Sequence, residues 1–98
     1  MGHIVWSDAA ARVVRRLDPA LRQAIERRTD YLRRMPRMYA LTQEERFRGC
    51  RSFWADDLCH VYYMVAAGGD DCYILAIEVA EPDDESGLTG SAGAEQEL

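Results

Sequence analysis

The sequence predicts an α+β fold with the element order β-α-α-β-β-β, in which two N-terminal helices pack on one face of a small, mainly antiparallel sheet. Apolar residues recur at helical spacing up to about residue 35 and alternate from residue 46 onward. The chain has 98 residues, of which 48% are hydrophobic, and this is enough for one sheet and two helices. No apolar run approaches the roughly 18 residues of a membrane span. The first residues also lack the pattern of a signal peptide, so we expect a cytoplasmic protein.

The N-terminal half is expected to hold one short strand and both helices. The strand is His3–Trp6, and Ser7 or Asp8 offers an N-cap for the first helix. The pair Asp18-Pro19 ends that helix and begins the second, because Asp is a good cap and Pro fits the first helical position. The second helix is predicted to end at Pro36, and its buried stripe to comprise Leu21, Ala24, Ile25, Arg28, Leu32 and Met35.

The C-terminal half predicts three strands at Arg46–Trp54, Asp57–Ala66 and Cys72–Ala80. A tight turn at residues 55–56 sets Arg51 opposite His60, and a second turn at residues 69–70 sets Tyr62 opposite Ile77. One face of the sheet is therefore expected to hold Phe47, Gly49, Arg51, Phe53, His60, Tyr62, Met64, Tyr73, Leu75, Ile77 and Val79.

The charges divide the chain into two unlike parts. Residues 1–51 hold all 12 basic residues, each an arginine, against six acids, whereas residues 52–98 hold 11 acids and no base. An arginine-rich pole is able to bind phosphate despite the overall charge of −5, although genome composition is an alternative reason for the arginines. We expect one domain over residues 1–81 and a disordered acidic tail with Gly and Ser over residues 82–98.

The three cysteines form no Cys-x-x-Cys pair, and the chain has only two histidines. This argues against a zinc site or a disulfide framework, so we expect buried thiols and no cofactor. Two helices cover one face of the sheet, and the other face is also apolar near its middle. A protein partner or a second copy of the chain is the expected cover for it.

Several segments, taken in order, resemble the RelE/ParE superfamily of bacterial toxins from type II toxin–antitoxin pairs. Ile4-Val5-Trp6-Ser7 leads into an alanine-rich helix, and Leu17-Asp18-Pro19 lies between the helices. Residues 46–53 (RFRGCRSF) and 60–65 (HVYYMV) look like the second- and third-strand motifs of that family. The resemblance covers about residues 3–80 and implies an antitoxin partner.

The resemblance implies one of two activities. In one branch the toxin cleaves messenger RNA on the ribosome, by in-line attack of a 2′-hydroxyl on the adjacent phosphate and without a metal. That chemistry needs a base, an acid and cations around the phosphate. In the other branch the toxin inhibits DNA gyrase by binding. A catalytically inactive protein-interaction module is the third possibility.

Carried over by position, the family pattern implies three sets of residues. Arg48, Arg51 and His60 are the predicted catalytic residues, although His60 stands where the family typically has Arg. The last strand departs from the family, since the segment Glu78–Asp84 is acidic where the cleaving branch has basic residues. The predicted phosphate-binding residues are Arg37, Arg46, Arg48 and Arg51, and the predicted partner-binding residues are Trp54, Tyr62, Met64, Leu75 and Ile77.

Each of these residues also has a purely structural explanation. His60 is also explained as a hydrogen-bonded core histidine, and the strand-two arginines by ion pairs with acids across the sheet. Trp54 suits stacking on a nucleobase or docking against a partner, but it is also explained as a residue that covers the core beneath its turn.

Overall fold

The computed structural model describes residues 2–80 and has the predicted α+β architecture. The sheet has the strand order β1-β4-β3-β2, with β1 parallel to β4 and the other neighbours antiparallel. A short 3-10 helix, Glu45–Phe47, precedes β2. The strands and helices are β1 (Ile4–Trp6), α1 (Asp8–Arg16), α2 (Pro19–Leu32), β2 (Arg51–Ala55), β3 (Cys59–Val65) and β4 (Cys72–Val79).

Both helices begin where the sequence predicts. The Ser7 side chain accepts a hydrogen bond from the Ala10 amide, and Asp18 caps α2 through the Leu21 amide with Pro19 in the first turn. Helix α2 ends at Leu32, four residues before Pro36, because the Arg33 amide turns back to the Asp30 carbonyl. Met35, the last residue of the predicted buried stripe, therefore lies beyond the helix and is exposed.

The hydrophobic core lies between the helices and one face of the sheet, which we call the covered face. We call the opposite face the open face. The core combines residues from both helices and from β2, β3 and β4: Ala10, Val14, Leu21, Ile25, Leu32, Phe53, Ala55, Cys59, Val61, Tyr63, Cys72, Ile74 and Ile77. All three thiols are free and buried, as predicted.

The pairing of β2 with β3 differs from the prediction by three residues. The turn is a three-residue loop, in which Asp56 and Asp57 have positive φ angles of 53° and 57°. Asp accepts this left-handed conformation at low cost, so the chain does not turn at residues 55–56. Arg51 consequently pairs with Tyr63, and His60 pairs with Trp54. A shift by an odd number exchanges the two faces, and the expectation that Arg51 and His60 share a face is wrong.

Strand β4 contains an irregularity that the sequence analysis did not include. Tyr63 pairs with Ile74 and Tyr62 with Ala76, which leaves Leu75 as an extra, unpaired residue. The Leu75 carbonyl accepts a hydrogen bond of 2.8 Å from the Ser7 hydroxyl, so the N-terminus of α1 holds the bulge. Ile77 therefore pairs with Val61 in the core and does not pair with Tyr62 as predicted.

Strand β2 is shorter than the predicted segment Arg46–Trp54. Its first residues form the 3-10 helix, and Gly49 has a φ angle of +89°, which breaks the extended conformation. Residues 40–42 run beside β2, with amide-to-carbonyl bonds from Thr42 to Cys50 and from Ser52 to Ala40. This segment protects part of the outer edge of the sheet.

The predicted acidic tail, residues 82–98, lies outside the described residues. Within residues 2–80, none of the helices combines the length and the apolar character that a membrane crossing requires. The same residues contain no group of His, Cys, Asp and Glu side chains arranged to hold a metal ion.

Candidate functional site

Three strands bring functional side chains together on the open face. His60 in β3 lies between its cross-strand partners Trp54 in β2 and Glu78 in β4. Tyr62 lies two residues beyond His60 on the same strand and hence on the same face. The 3-10 helix places Phe47 over Tyr62, which is only 1% exposed as a result. The site is therefore a row of rings with one carboxylate beside it.

Four rings, which we call the aromatic row, follow one another across the open face. The ring centroids of Phe47 and Tyr62 are 4.0 Å apart, those of Tyr62 and His60 4.4 Å, and those of His60 and Trp54 4.4 Å. The His60 and Trp54 planes differ by only 12°, so the imidazole is stacked on the indole. This packing fixes the orientation of the imidazole ring on both of its sides.

A hydrogen-bonded chain connects His60 to Glu78 through Tyr62. The Tyr62 hydroxyl oxygen lies 2.9 Å from Nδ1 of His60 and 3.4 Å from Oε1 of Glu78. A carboxylate only accepts, so when the hydroxyl donates its single proton to Glu78, Nδ1 of His60 donates to the hydroxyl oxygen. When the hydroxyl donates instead to Nδ1, the closer of its two partners, the proton of a neutral His60 is on Nε2. The first arrangement places that proton on Nδ1. The nitrogen Nε2 is then left unprotonated and able to accept a proton.

The environment favours the neutral imidazole. Partial burial lowers the pKa of His60 below its ordinary value of 6.5, and the Glu78 and Glu44 carboxylates only partly oppose this effect. Burial, with the Glu78 carboxylate second, raises the pKa of Tyr62, so its hydroxyl keeps its proton at neutral pH. The site thus favours a neutral histidine beside a phenol and a carboxylate, which is an arrangement suited to a general base.

The nearby arginines are already paired with acids. Arg46 forms ion pairs with Glu78 and with Glu44, and its guanidinium lies 5.0 Å from the centre of the Phe47 ring. Arg48 pairs with Glu45 and is strongly exposed. A phosphate that binds either arginine would have to displace a carboxylate. Exposed ion pairs of this kind contribute little free energy, so the displacement costs little.

Two of the predicted site arginines lie away from this cluster. Arg51 is on the covered face, where its Nη1 donates to the carbonyls of Tyr39 at 2.7 Å and Arg37 at 3.4 Å. Arg37 reaches the turn between β3 and β4, where it donates to the Gly69 carbonyl at 3.1 Å. Of the predicted arginines, only Arg46 therefore lies beside the aromatic row, through its contacts with Glu78 and Phe47. Arg48 pairs with Glu45 after the 3-10 helix, and Arg51 and Arg37 lie elsewhere.

The predicted partner-binding residues are also divided. Trp54 and Met64 are exposed on the open face, at 48% and 42%, and Leu75 is half-buried at the bulge. Tyr62 lies under Phe47, and Ile77 faces the helices, so the structure does not present either of them as a surface for a partner.

The sequence analysis missed Glu78 as a member of the site. It treated the acidic end of β4 as a source of repulsion for RNA and Glu78 as one of the ion-pair partners of the strand-two arginines. The predicted register placed Glu78 on the face opposite His60. The bulge at Leu75 reverses that orientation, and no residue pattern in β4 signals it. The shared face of His60 and Tyr62, in contrast, follows from period-two alternation alone.

A concave region lies on the helical side, away from the aromatic row. This groove of about 530 Å³ runs between α1, α2 and β1, with an apolar floor that includes Ile4, Trp6 and Val14 and a charged rim that includes Arg15 and Arg27. It contains no histidine, cysteine or tyrosine. Its titratable lining consists of the carboxylates Glu26 and Asp30 and of arginines.

Searches of protein-family models and of curated proteins find no match to this chain. Solved structures do match its fold. The intact RelBE toxin–antitoxin complex of E. coli aligns with a TM-score of 0.68 at 14% identity, over 84% of this chain and 100% of that one. The isolated E. coli RelE toxin aligns with a TM-score of 0.68 at 14% identity, over 86% of this chain and 89% of that one.

The RelBE2 toxin–antitoxin complex of Mycobacterium tuberculosis gives a TM-score of 0.67 at 19% identity, over 80% of this chain and 96% of that one. These similarities extend over nearly the whole length of the matched chains. The protein thus has a RelE-like fold, as the sequence resemblance implied.

Proposed function

We propose that this protein is the toxin of a type II toxin–antitoxin pair and cleaves messenger RNA on the ribosome, with His60 as the general base. The observation that carries the proposal is the chain of contacts from Glu78 through Tyr62 to Nδ1 of His60. The proposed base is the tautomer in which Tyr62 donates to Glu78, because Nε2 is then free to take a proton. The RelE-like fold supports it, and toxin–antitoxin complexes among the matched structures support a cognate antitoxin as the partner.

The proposed reaction needs only the RNA and this chain's side chains. Nε2 of His60 accepts the proton of a 2′-hydroxyl as that oxygen bonds to the adjacent phosphorus. Arg46 and Arg48 release their carboxylate partners and stabilise the negative charge on the phosphorane. The bond from phosphorus to the 5′ oxygen then breaks, and protonated His60 returns the proton to that oxygen. The products are a 2′,3′-cyclic phosphate and a 5′-hydroxyl end.

Expression in a bacterium that lacks the antitoxin tests the toxin proposal, and primer extension on cellular messages tests the reaction. The wild type should arrest growth and produce cuts inside codons. His60→Gln should lower cleavage about 10²- to 10⁴-fold, which is the usual contribution of a general acid or base. His3→Gln is the matched control, because His3 is the other histidine of the chain and lies outside the open face.

The alternatives give different results in the same experiment. Harmless expression of the folded wild type would contradict the toxin proposal. Growth arrest with intact messages and an induced DNA-damage response would indicate gyrase. If His60→Gln cleaves as efficiently as the wild type, the base is another residue.

One observation favours a protein-binding role without catalysis. Around the aromatic row, the three acids Glu44, Glu45 and Glu78 outnumber the two arginines Arg46 and Arg48. A surface with this balance and an exposed tryptophan also suits a protein partner. A chain of this type would neither arrest growth nor cleave messages, and it would purify with its partner.

A further inference from the structure

Trp54 ends the aromatic row and has one unoccupied ring face. Its inner face is stacked on His60, and its side chain is 48% exposed. At the other end of the row, the Arg46 guanidinium lies over Phe47. In residues 2–80, no other ring or guanidinium stacks on the indole. The outer face of the Trp54 indole is therefore available to stack on another flat group.

A nucleobase matches that position. Proteins bind single-stranded nucleic acid by stacking bases on exposed aromatic side chains, since each base has a π-face. The indole is held in place by the imidazole beneath it, so little conformational freedom is lost on binding. Because His60 is the next ring in the row, a base on Trp54 brings the sugar–phosphate backbone beside it toward Nε2 of His60.

We propose that the outer face of Trp54 binds one nucleobase of single-stranded RNA next to the phosphate that is cleaved, and prefers a purine because of its larger ring surface. The inference rests on the proposed function and adds a substrate-positioning residue to it. Trp54 makes no contribution to proton transfer in this scheme. It holds the RNA so that a 2′-hydroxyl lies beside the base.

Tryptophan fluorescence tests the contact without relying on cleavage. The chain has two tryptophans, so Trp6→Phe leaves Trp54 as the only one. In this background, a six-residue oligoadenylate at low salt should quench the emission, and a six-residue oligouridylate should bind more weakly. Oligonucleotides that also carry 2′-O-methyl groups remain intact during the titration.

The affinity of labelled oligoadenylate, measured by anisotropy, gives the size of the effect. Trp54→Ala should weaken binding about 5- to 150-fold, the equivalent of losing one base–aromatic stack. Trp54→Phe keeps a ring and should lie between Trp54→Ala and the wild type. Met64→Ala is the matched control, since Met64 is also apolar and exposed on the open face, and it should bind as the wild type does.

The outcomes separate this inference from the proposed function. If folded Trp54→Ala binds RNA as tightly as the wild type, the stacking role is overturned, even if the wild type cleaves messages. The same holds if Trp54→Ala weakens binding of a co-expressed antitoxin and leaves RNA binding unchanged. Quenching and purine preference in a wild type that fails to cleave support the stacking role and contradict the endonuclease proposal. Absence of RNA binding by the wild type overturns the inference.

Discussion

Glu78 is the direct cross-strand neighbour of His60 on the open face, and the Tyr62 hydroxyl lies between their side chains. In the proposed mechanism, the carboxylate therefore does more than add negative charge near the RNA. Acting through Tyr62, it favours the imidazole tautomer with the proton on Nδ1, in the way that a carboxylate orients the histidine of a catalytic triad. The acidic character of β4 is compatible with catalysis for this reason.

Removing the Tyr62 hydroxyl should impair cleavage without impairing folding. We expect Tyr62→Phe to lower kcat about tenfold, because one orienting hydrogen bond is lost while the stacking on Phe47 remains. Single-turnover cleavage of a model message on ribosomes measures the effect. Tyr73→Phe removes the hydroxyl of an exposed tyrosine in β4 and is the control. Equal losses in both variants would contradict the positioning role.

The pH dependence of cleavage should follow His60. A base works only when unprotonated, so activity should fall as the pH drops through the lowered pKa of His60. In Glu78→Gln the carboxylate that raises this pKa is absent, and the acid limb should move to lower pH. Profiles of kcat/KM against pH measure the shift. A limb that stays in place or moves to higher pH would exclude His60 as the titrating group.

Arg51 should matter for stability. Its guanidinium donates to the Tyr39 carbonyl at 2.7 Å, so Arg51→Ala should lower the free energy of unfolding by about 1–3 kcal/mol. Arg12→Ala, on the exposed surface of α1, should change it by less than about 0.5 kcal/mol. Urea denaturation compares the two. Cleavage at a temperature where Arg51→Ala is folded distinguishes this structural role from the catalytic one that the sequence indicated.

Gly2 packs too closely against the β3–β4 turn to accept a side chain. A Cβ atom at this position would lie 1.9 Å from the Asp70 carbonyl oxygen, so Gly2→Ala must displace the start of β1. We expect a loss of about 1–3 kcal/mol, as in other overpacked sites. Gly69→Ala, where nothing lies within 4 Å of the added atom, is the control. Thermal unfolding should separate the two variants clearly.

The element order and the helix starts were predictable because their signals are local. Ser7 and Asp18 are good caps, Pro19 fits a first turn, and the helical and alternating patterns meet near residue 45. The covered core of the helices followed from the same spacing, apart from Met35, which lies beyond the end of α2 and is exposed. These features depend on neighbouring residues in the chain, and a single sequence contains that information.

The site was less predictable because it depends on pairings between distant residues. The β2–β3 loop needs two aspartates with positive φ, and a two-residue turn is equally compatible with the sequence. Each error of one residue exchanges the faces of a strand, which is why Arg51 was grouped with His60. The sequence analysis singled out His60, Tyr62 and Trp54 individually. Their stacking and the contact with Glu78 could be found only once the pairing register of the strands was known.

The bulge at Leu75 has a consequence for the arrangement of this site. If β4 continued from Ile74 with regular alternation, Glu78 would point toward the helices and His60 would lose its cross-strand acid. The removal of a single amino acid, with no change in the chemistry of any other, is thus enough to separate Glu78 from Tyr62 and His60. In this chain the arrangement of the candidate site therefore depends on the length of β4 as much as on the residue types in it.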